Sequence, residues 1–288
     1  MNHSASIRHR ISIDRPAADD ATRSRAWRPP WWSGWLVLPC GLVALVAIAD
    51  LLLGRQPGWP ETGLILLTLA LAVLGTVSLR TQALAPAFCG PRPGRMPRVA
   101  LTFDDGPDPE TTPRVLAALG RHRATFFVVG EKARAHPELI RAIRAAGHQV
   151  ALHGERHCWR AMVGPARARR QILAGRQALH ELGVDDGGFF RPPYGLMVPP
   201  LAESLRRTGS TAVGWSLRSL DAVRSGDPGV FAARLAARVR NGDIVLLHDA
   251  PERPGGRHPL GIAAAAPLVA ALDDRGFEFV TVAALHAG

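Results

Sequence analysis

The stretch Val99-Ala100-Leu101-Thr102-Phe103-Asp104-Asp105-Gly106-Pro107 runs from an apolar, β-prone segment directly into two neighbouring carboxylates and a turn. A short apolar run closed by Gly-Pro reads as a buried strand that ends at the aspartates. Consecutive side chains at a strand end point in different directions, so one carboxylate can bind a cation while the other stays free. A simple turn capped by Asp104 is the alternative reading of the Asp-Gly-Pro sequence.

The same pattern recurs on the C-terminal side of this stretch. β-rich runs at 99–103, 124–129, 149–153, 188–191, 211–215, 243–247 and 277–281 alternate with helical segments at 113–119, 137–146, 165–182, 201–208, 230–240 and 263–274. Strands separated by helices imply an α/β fold with parallel pairing and helices outside the sheet. About 190 residues is slightly short for a complete eight-unit barrel. A seven-stranded, distorted and imperfectly closed (β/α) barrel fits best, with an open doubly wound sheet as the alternative. Asp104, Asp105, His153, His157, Arg191, Asp221, His248 and Asp249 each fall at or just past a strand's C-terminal end. In parallel α/β folds those ends share the face that holds the active site.

Three further motifs carry chemistry. His153-Gly154-Glu155-Arg156-His157 brings two imidazoles together on one turn or tight loop. Two histidines and a carboxylate make a facial triad that leaves positions open for water and substrate. Zinc suits that donor set best, although Co2+, Ni2+, Fe2+ or Mn2+ would also be accepted. Arg191-Pro192-Pro193-Tyr194-Gly195 is a stiffened loop able to present a fixed guanidinium and a fixed N–H donor. Leu246-Leu247-His248-Asp249 ends an apolar strand with an imidazole. Taken singly, each has a plain alternative: a chance histidine spacing, a proline-rich connection, a structural histidine.

Together and in this order, TFDDGP, RPPYG and LLHD resemble the NodB-type polysaccharide deacetylases, carbohydrate esterase family 4, over about residues 98–285. The resemblance implies the family's distorted barrel and an N-deacetylase acting on an amino sugar. By position it makes Asp104 the general base and Asp105, His153 and His157 the metal ligands. It has Arg191 orient Asp104, Asp221 hold Arg191, the Tyr194 backbone N–H stabilise an oxyanion, and His248 act as general acid. An amide carbonyl is a poor electrophile and an amine a poor leaving group, so a polarising dication and an acid are both needed. Three residues depart from the family pattern: Gly154 in place of a hydroxyl residue, Arg218 in place of an aspartate, and Ala222 in place of a tryptophan. None is a proposed ligand, base or acid, and a fixed guanidinium at 218 suits a phosphate- or carboxylate-bearing substrate. The remaining alternatives are a deformylase or other C–N hydrolase on the same scaffold, and a catalytically silent glycan-binding protein.

The N-terminal third is different in character. Residues 1–33 form a basic tail expected to be disordered, and 81–97 form a Pro-rich linker to a catalytic domain at 98–288. Between them, 35–53 carries one charge, Asp50, and 63–79 carries none. As helices these stretches would reach about 28 and about 25 Å, close to the roughly 30 Å hydrocarbon core. Trp27, Trp31, Trp32, Trp35 and Trp59 stand where interfacial tryptophans would. The expectation is a two-helix transmembrane hairpin (34–80) in the inner membrane. Arginine-rich flanks put both ends, and the catalytic domain, on the cytoplasmic side, which makes a lipid-linked saccharide the expected substrate; an outward-facing domain acting on cell-wall or exported polysaccharide is the alternative.

Composition agrees with a folded enzyme. Apolar residues make up 47% of the 288, enough for a core, and the three scattered cysteines exclude a dense disulfide framework. The excess of 35 bases over 24 acids favours an anionic partner. No nucleic-acid module accompanies that charge. The group Arg156, Arg160, Arg167, Arg169 and Arg170 reads as a solvated helix face, or alternatively as a membrane-facing patch.

Overall fold

A computed structural model describes residues 45–50, 52–54, 58–253 and 255–288. Its centre is a curled sheet of strands β1 (Ala87–Phe88), β2 (Arg98–Asp104), β3 (Thr125–Val128), β4 (Gln149–Leu152), β5 (Phe189–Phe190), β6 (Thr211–Val213), β7 (Leu217–Arg218), β8 (Asp243–His248) and β9 (Glu278–Phe279). They lie in the order β1-β6-β5-β4-β3-β2-β8-β7, with β9 paired to the start of β2. Every pairing is parallel. The helices of the domain are α2 (Thr112–Leu119), α3 (Gly130–Ala135), α4 (Pro137–Ala145), α5 (Pro165–Glu181), α6 (Pro199–Thr208), α7 (Pro228–Arg238), α8 (Leu260–Asp274) and α9 (Val282–Ala287), preceded by α1 (Trp59–Val77). Helices α2, α4, α5, α6 and α7 carry proline in the first turn, where its missing N–H costs nothing.

Strand β2 is central because it can be. It pairs with β3 and β8 on its two edges and is buried from Val99 to Asp104. A strand covered on both faces needs a continuous apolar run rather than alternation, which is what Val99–Phe103 supplies. The Phe103 and Phe126 rings stack at 5.2 Å, and Leu101, Leu119, Ile140, Ile143 and Leu152 close around them. The register pairs Asp104 with His248 and with Phe127, so the end of β2 lies level with the ends of its neighbours. All seven expected strands are present, and the sheet curls into a half-barrel whose outer strands, β1 and β7, do not meet.

Two strands exceed the sequence-based expectation. Leu217–Arg218 and Ala87–Phe88 are too short to show a period, and the latter lies inside the stretch expected to be a linker. That stretch is part of the domain: β1 pairs with β6, and Ala85 and Cys89 are buried in the core. The Arg92 N–H donates to the Gly242 carbonyl at 3.1 Å.

The membrane hairpin is not found among the described residues, where no helix is long and apolar enough to cross a membrane. The basic tail 1–33 and most of 35–53 lie outside the described residues. Helix α1 overlaps the second apolar stretch and exposes Leu66, Leu67, Val73 and Leu74. Its last turn touches the domain, since the Thr76 carbonyl accepts the Met197 N–H at 2.8 Å.

Gly242 sits at φ +84°, and a Cβ there would lie 2.3 Å from the Arg92 carbonyl carbon. Gly242→Ala is expected to destabilise the domain by roughly 2–4 kcal/mol, combining left-handed strain with a backbone clash. The midpoint of urea unfolding should fall accordingly, and an unchanged midpoint would contradict the docking of residues 87–92.

Candidate active site

Arg191 is the largest side chain with no exposure to solvent. Its Nη1 donates to Asp104 Oδ1 and to Thr102 Oγ1, both at 2.7 Å, and its Nη2 donates to the Gly214 carbonyl at 2.8 Å. The guanidinium lies 3.9 Å above the centre of the Phe127 ring. Burial lowers the Arg191 pKa, and the Asp104 carboxylate opposes that shift. One Asp104 oxygen is therefore fixed, while the other, Oδ2, faces His153 Nε2 at 3.9 Å.

Asp105, His153 and His157 converge as expected. Their donor atoms lie within 4.8 Å of one another, with Asp105 Oδ1 3.4 Å from His153 Nε2 and 3.2 Å from His157 Nε2. Asp105 Oδ1 is buried without a hydrogen-bond partner. Burial would raise the Asp105 pKa, but the two imidazoles that face it hold it below the carboxylate range. His153 Nδ1 lies 2.8 Å from the Arg191 carbonyl, to which it donates, and this turns the Nε2 lone pair toward Asp105. Burial pushes His157 down to about 4, so its imidazole is neutral at neutral pH, as ligation requires. An orphaned buried carboxylate oxygen facing two such imidazoles fits a divalent cation.

The loop that carries the histidines is braced by α5. The Arg156 N–H donates to Gln171 Oε1 at 2.8 Å and the Glu155 N–H to the Gln171 carbonyl at 3.0 Å. Gly154 takes φ +97°, a conformation most side chains avoid, which accounts for glycine there. Arg156, from the basic group noted in the sequence, pairs with Glu131 at 3.1 Å.

Asp221 has a different partner from the one expected. It does not hold Arg191, whose polar contacts are Asp104, Thr102 and the Val213 and Gly214 carbonyls. Asp221 Oδ1 instead meets His248 Nδ1 at 2.8 Å, and its Oδ2 accepts the His248 backbone N–H at 2.9 Å. Burial disfavours the imidazolium, yet the hydrogen bond and charge of Asp221 push His248 up to about 9. The result is a protonated imidazole beside Asp104, its register partner on β2.

Tyr194 has φ 60° and ψ 3°, and its hydroxyl donates to Glu252 Oε1 at 2.8 Å. Burial and the Glu252 carboxylate raise its pKa. Its ring lies 4.4 Å from that of His157, whose Nδ1 is 4.0 Å from Glu252 Oε1. Among the described residues four non-glycine positions have positive φ, and three of them, Asp105, Tyr194 and Leu220, lie at this site. Such strain persists only where surrounding structure enforces it, and it concentrates at functional sites.

Further residues support the site from behind. Lys132 Nζ donates to the Asp105 carbonyl at 2.7 Å and the Pro251 carbonyl at 3.3 Å. Asp249 lies behind the aspartate pair, accepts from Thr112 Oγ1 at 2.5 Å, and is pushed up to about 7 by burial. A Cβ at Gly106 would fall 2.2 Å from Asp249 Oδ2, so glycine is required there by close approach. The single signal available for Lys132 was its being the chain's only lysine.

Asp104, Asp105, His153, His157, Tyr194 and His248 line one cleft of about 430 Å³ at the C-terminal ends of the strands. A fixed carboxylate, a cation-ready triad and a protonated imidazole on one wall equip it for hydrolysis of an acyl bond. The chain belongs to the polysaccharide deacetylase family, whose model matches residues 92–213, and so is a hydrolase of the carbohydrate deacetylase class. It is 39% identical over 197 residues to a chitooligosaccharide deacetylase of Sinorhizobium fredii, covering 65% of this chain and 91% of that one. A peptidoglycan-N-acetylglucosamine deacetylase of Bacillus cereus is 32% identical over 191 residues, covering 65% and 87%. The solved family 4 acetyl xylan esterase of Clostridium thermocellum, in complex with a cobalt ion, superposes with a TM-score of 0.57 at 32% identity, covering 66% and 90%.

In chelator-treated protein the His248 imidazole is expected to titrate at about 9. Its charged form is thus present below that pH and lost above it. Asp221→Asn removes the charge that opposes burial, so the titration should drop below the ordinary imidazole value. NMR of the ring carbons reads both values, and an unmoved titration in Asp221→Asn would refute the pairing.

Proposed function

We propose that the protein removes N-acetyl groups from an amino sugar in an oligosaccharide or glycan, using a divalent metal, for which zinc is the best fit. The observation that carries this reading is the convergence of Asp105, His153 and His157 beside an Asp104 carboxylate that Arg191 holds in place. The names of the similar proteins point to the same chemistry on chitooligosaccharide or peptidoglycan N-acetylglucosamine.

Bound by Asp105, His153 and His157, the metal would supply a Lewis acid that polarises the amide carbonyl and acidifies water. The protein's own groups do the rest. Asp104 Oδ2, its partner oxygen pinned by Arg191, accepts a proton from the attacking water. The Tyr194 loop presents its backbone N–H to the oxygen that gains charge at the acyl carbon. His248, kept protonated by Asp221, gives its proton to the departing amine. Water and amide become acetate and a free amino sugar.

Asp104→Asn should lower kcat by roughly two to four orders of magnitude while leaving metal stoichiometry intact. His153→Ala should lose the metal itself. Acetate release from N-acetylchitooligosaccharides and metal content by elemental analysis check the two. Full turnover in Asp104→Asn, or a loaded enzyme that releases no acid from any N-acylated sugar, would refute the reading.

We also propose that the chain is attached to the inner membrane through 35–53 and 63–79, with the catalytic domain on the cytoplasmic side, where a lipid-linked saccharide is the available substrate. The nearly uncharged apolar runs, their tryptophan flanks and the arginine-rich ends support this. The full chain is expected to stay with membranes through alkaline carbonate washing, and recovery in the wash would exclude it.

A further inference from the structure

We infer that the cleft is built for an N-acetylated saccharide bearing a negative charge close to the reacting sugar, a carboxylate or phosphate group held by Arg218 and Arg257. The inference rests on the deacetylase reading of the same site and names its substrate class. The cleft is lined by three arginines outside the catalytic group, Arg218, Arg253 and Arg257, and by a single further carboxylate, Glu252. Glu252 is already engaged by the Tyr194 hydroxyl at 2.8 Å and lies 3.9 Å from Arg253 Nε. Neither Arg218 nor Arg257 has a carboxylate within 4.0 Å among the described residues.

The floor of the cleft does not neutralise them. Asp104 is paired with Arg191, and Asp221 with the His248 imidazolium. Asp105 is the one uncompensated carboxylate among these, and a dication would more than balance it. The cleft therefore carries net positive charge at its rim and none in excess on its floor to match it. A neutral sugar chain gains nothing from that field, whereas an anionic one gains charge-assisted hydrogen bonds and steering.

Arg218 is also held ready. It is the second residue of β7, in register with Leu246, two residues before His248 on the adjoining strand. Its guanidinium lies 5.8 Å from the centre of the Trp215 ring, and that ring packs against Gly195, where a Cβ would fall 2.5 Å away. A guanidinium rooted in a strand and within cation–π reach of an indole is confined on one side before it grips an oxyanion. Ala222 and Val223 line the same cleft.

The test uses the metal-loaded full chain and three tetrasaccharides with the same N-acetylglucosamine units: one neutral, one with a terminal carboxylate, one with a terminal phosphate. Acetate release at low ionic strength should give an anionic-to-neutral ratio in kcat/KM of about tenfold or more. That ratio should shrink with added salt and fall close to one in the double variant Arg218→Gln/Arg257→Gln. Arg218→Lys should restore part of it. A preference confined to the carboxylate arm assigns the site to a sugar acid, and one confined to the phosphate arm to a phosphosugar; either supports the inference. Equal rates on all three substrates, or a preference that survives in the double variant, would overturn it. If no arm releases acetate the deacetylase reading fails instead. Calorimetric affinity for the same three sugars then decides: tighter anion binding that the double variant loses upholds the cationic rim, and equal affinities refute it.

Discussion

A guanidinium sealed inside the barrel, Arg191, is the constraint around which the catalytic end of the molecule is arranged. Taking such a group out of water is costly unless all its donors are met, and removing one partner of a buried pair typically costs about 3–5 kcal/mol. The fold meets that demand with Asp104 and Thr102 from β2, the carbonyls of Val213 at the end of β6 and of Gly214 just after it, and the Phe127 ring from β3. Four separate stretches of chain are thereby tied at one point. The Arg191 carbonyl also receives the His153 ring, so the residue that fixes Asp104 orients His153 as well.

Three aspartates within this small volume do different work because their surroundings differ. Asp104 faces a fixed positive charge, Asp105 faces two imidazoles with one oxygen unmatched, and Asp221 is buried against His248 and Ser219. Asp249 shows what burial does without a neighbouring cation at contact distance, its carboxyl rising to about 7. Environment separates the roles of chemically identical groups here, as it does wherever one site needs both an acid and a base.

The parallel barrel was legible because short apolar, β-prone runs alternate with helical segments from 99 to 281, and because first-turn prolines mark five helix starts. The Asp105–His153–His157 cluster was legible from the aspartate pair and the histidine spacing through family resemblance. The partner of Asp221 was not. Arg191 and His248 are both plausible neighbours in sequence, and only the strand register, which sets β7 beside β8, selects His248. Strands of two residues, such as Ala87–Phe88, have no period to read. Lys132 and Glu252 act through backbone carbonyls and a tyrosine hydroxyl across long sequence separations, and neither contact leaves a local pattern. The membrane reading drew on residues mostly beyond the described part of the chain.

The left-handed backbone at Asp105, Tyr194 and Leu220 sets a ceiling on how far this enzyme can be hardened by design. A glycine at any of the three would relax the main chain, which is the usual recipe for relieving a twisted turn. At 105 that swap deletes the carboxylate that faces His153 and His157, at 194 the ring beside His157, and at 220 part of the cleft wall. Heat tolerance must therefore be sought in the helices and the sheet's far edge, because the mouth of the cleft keeps its tension as a condition of its shape.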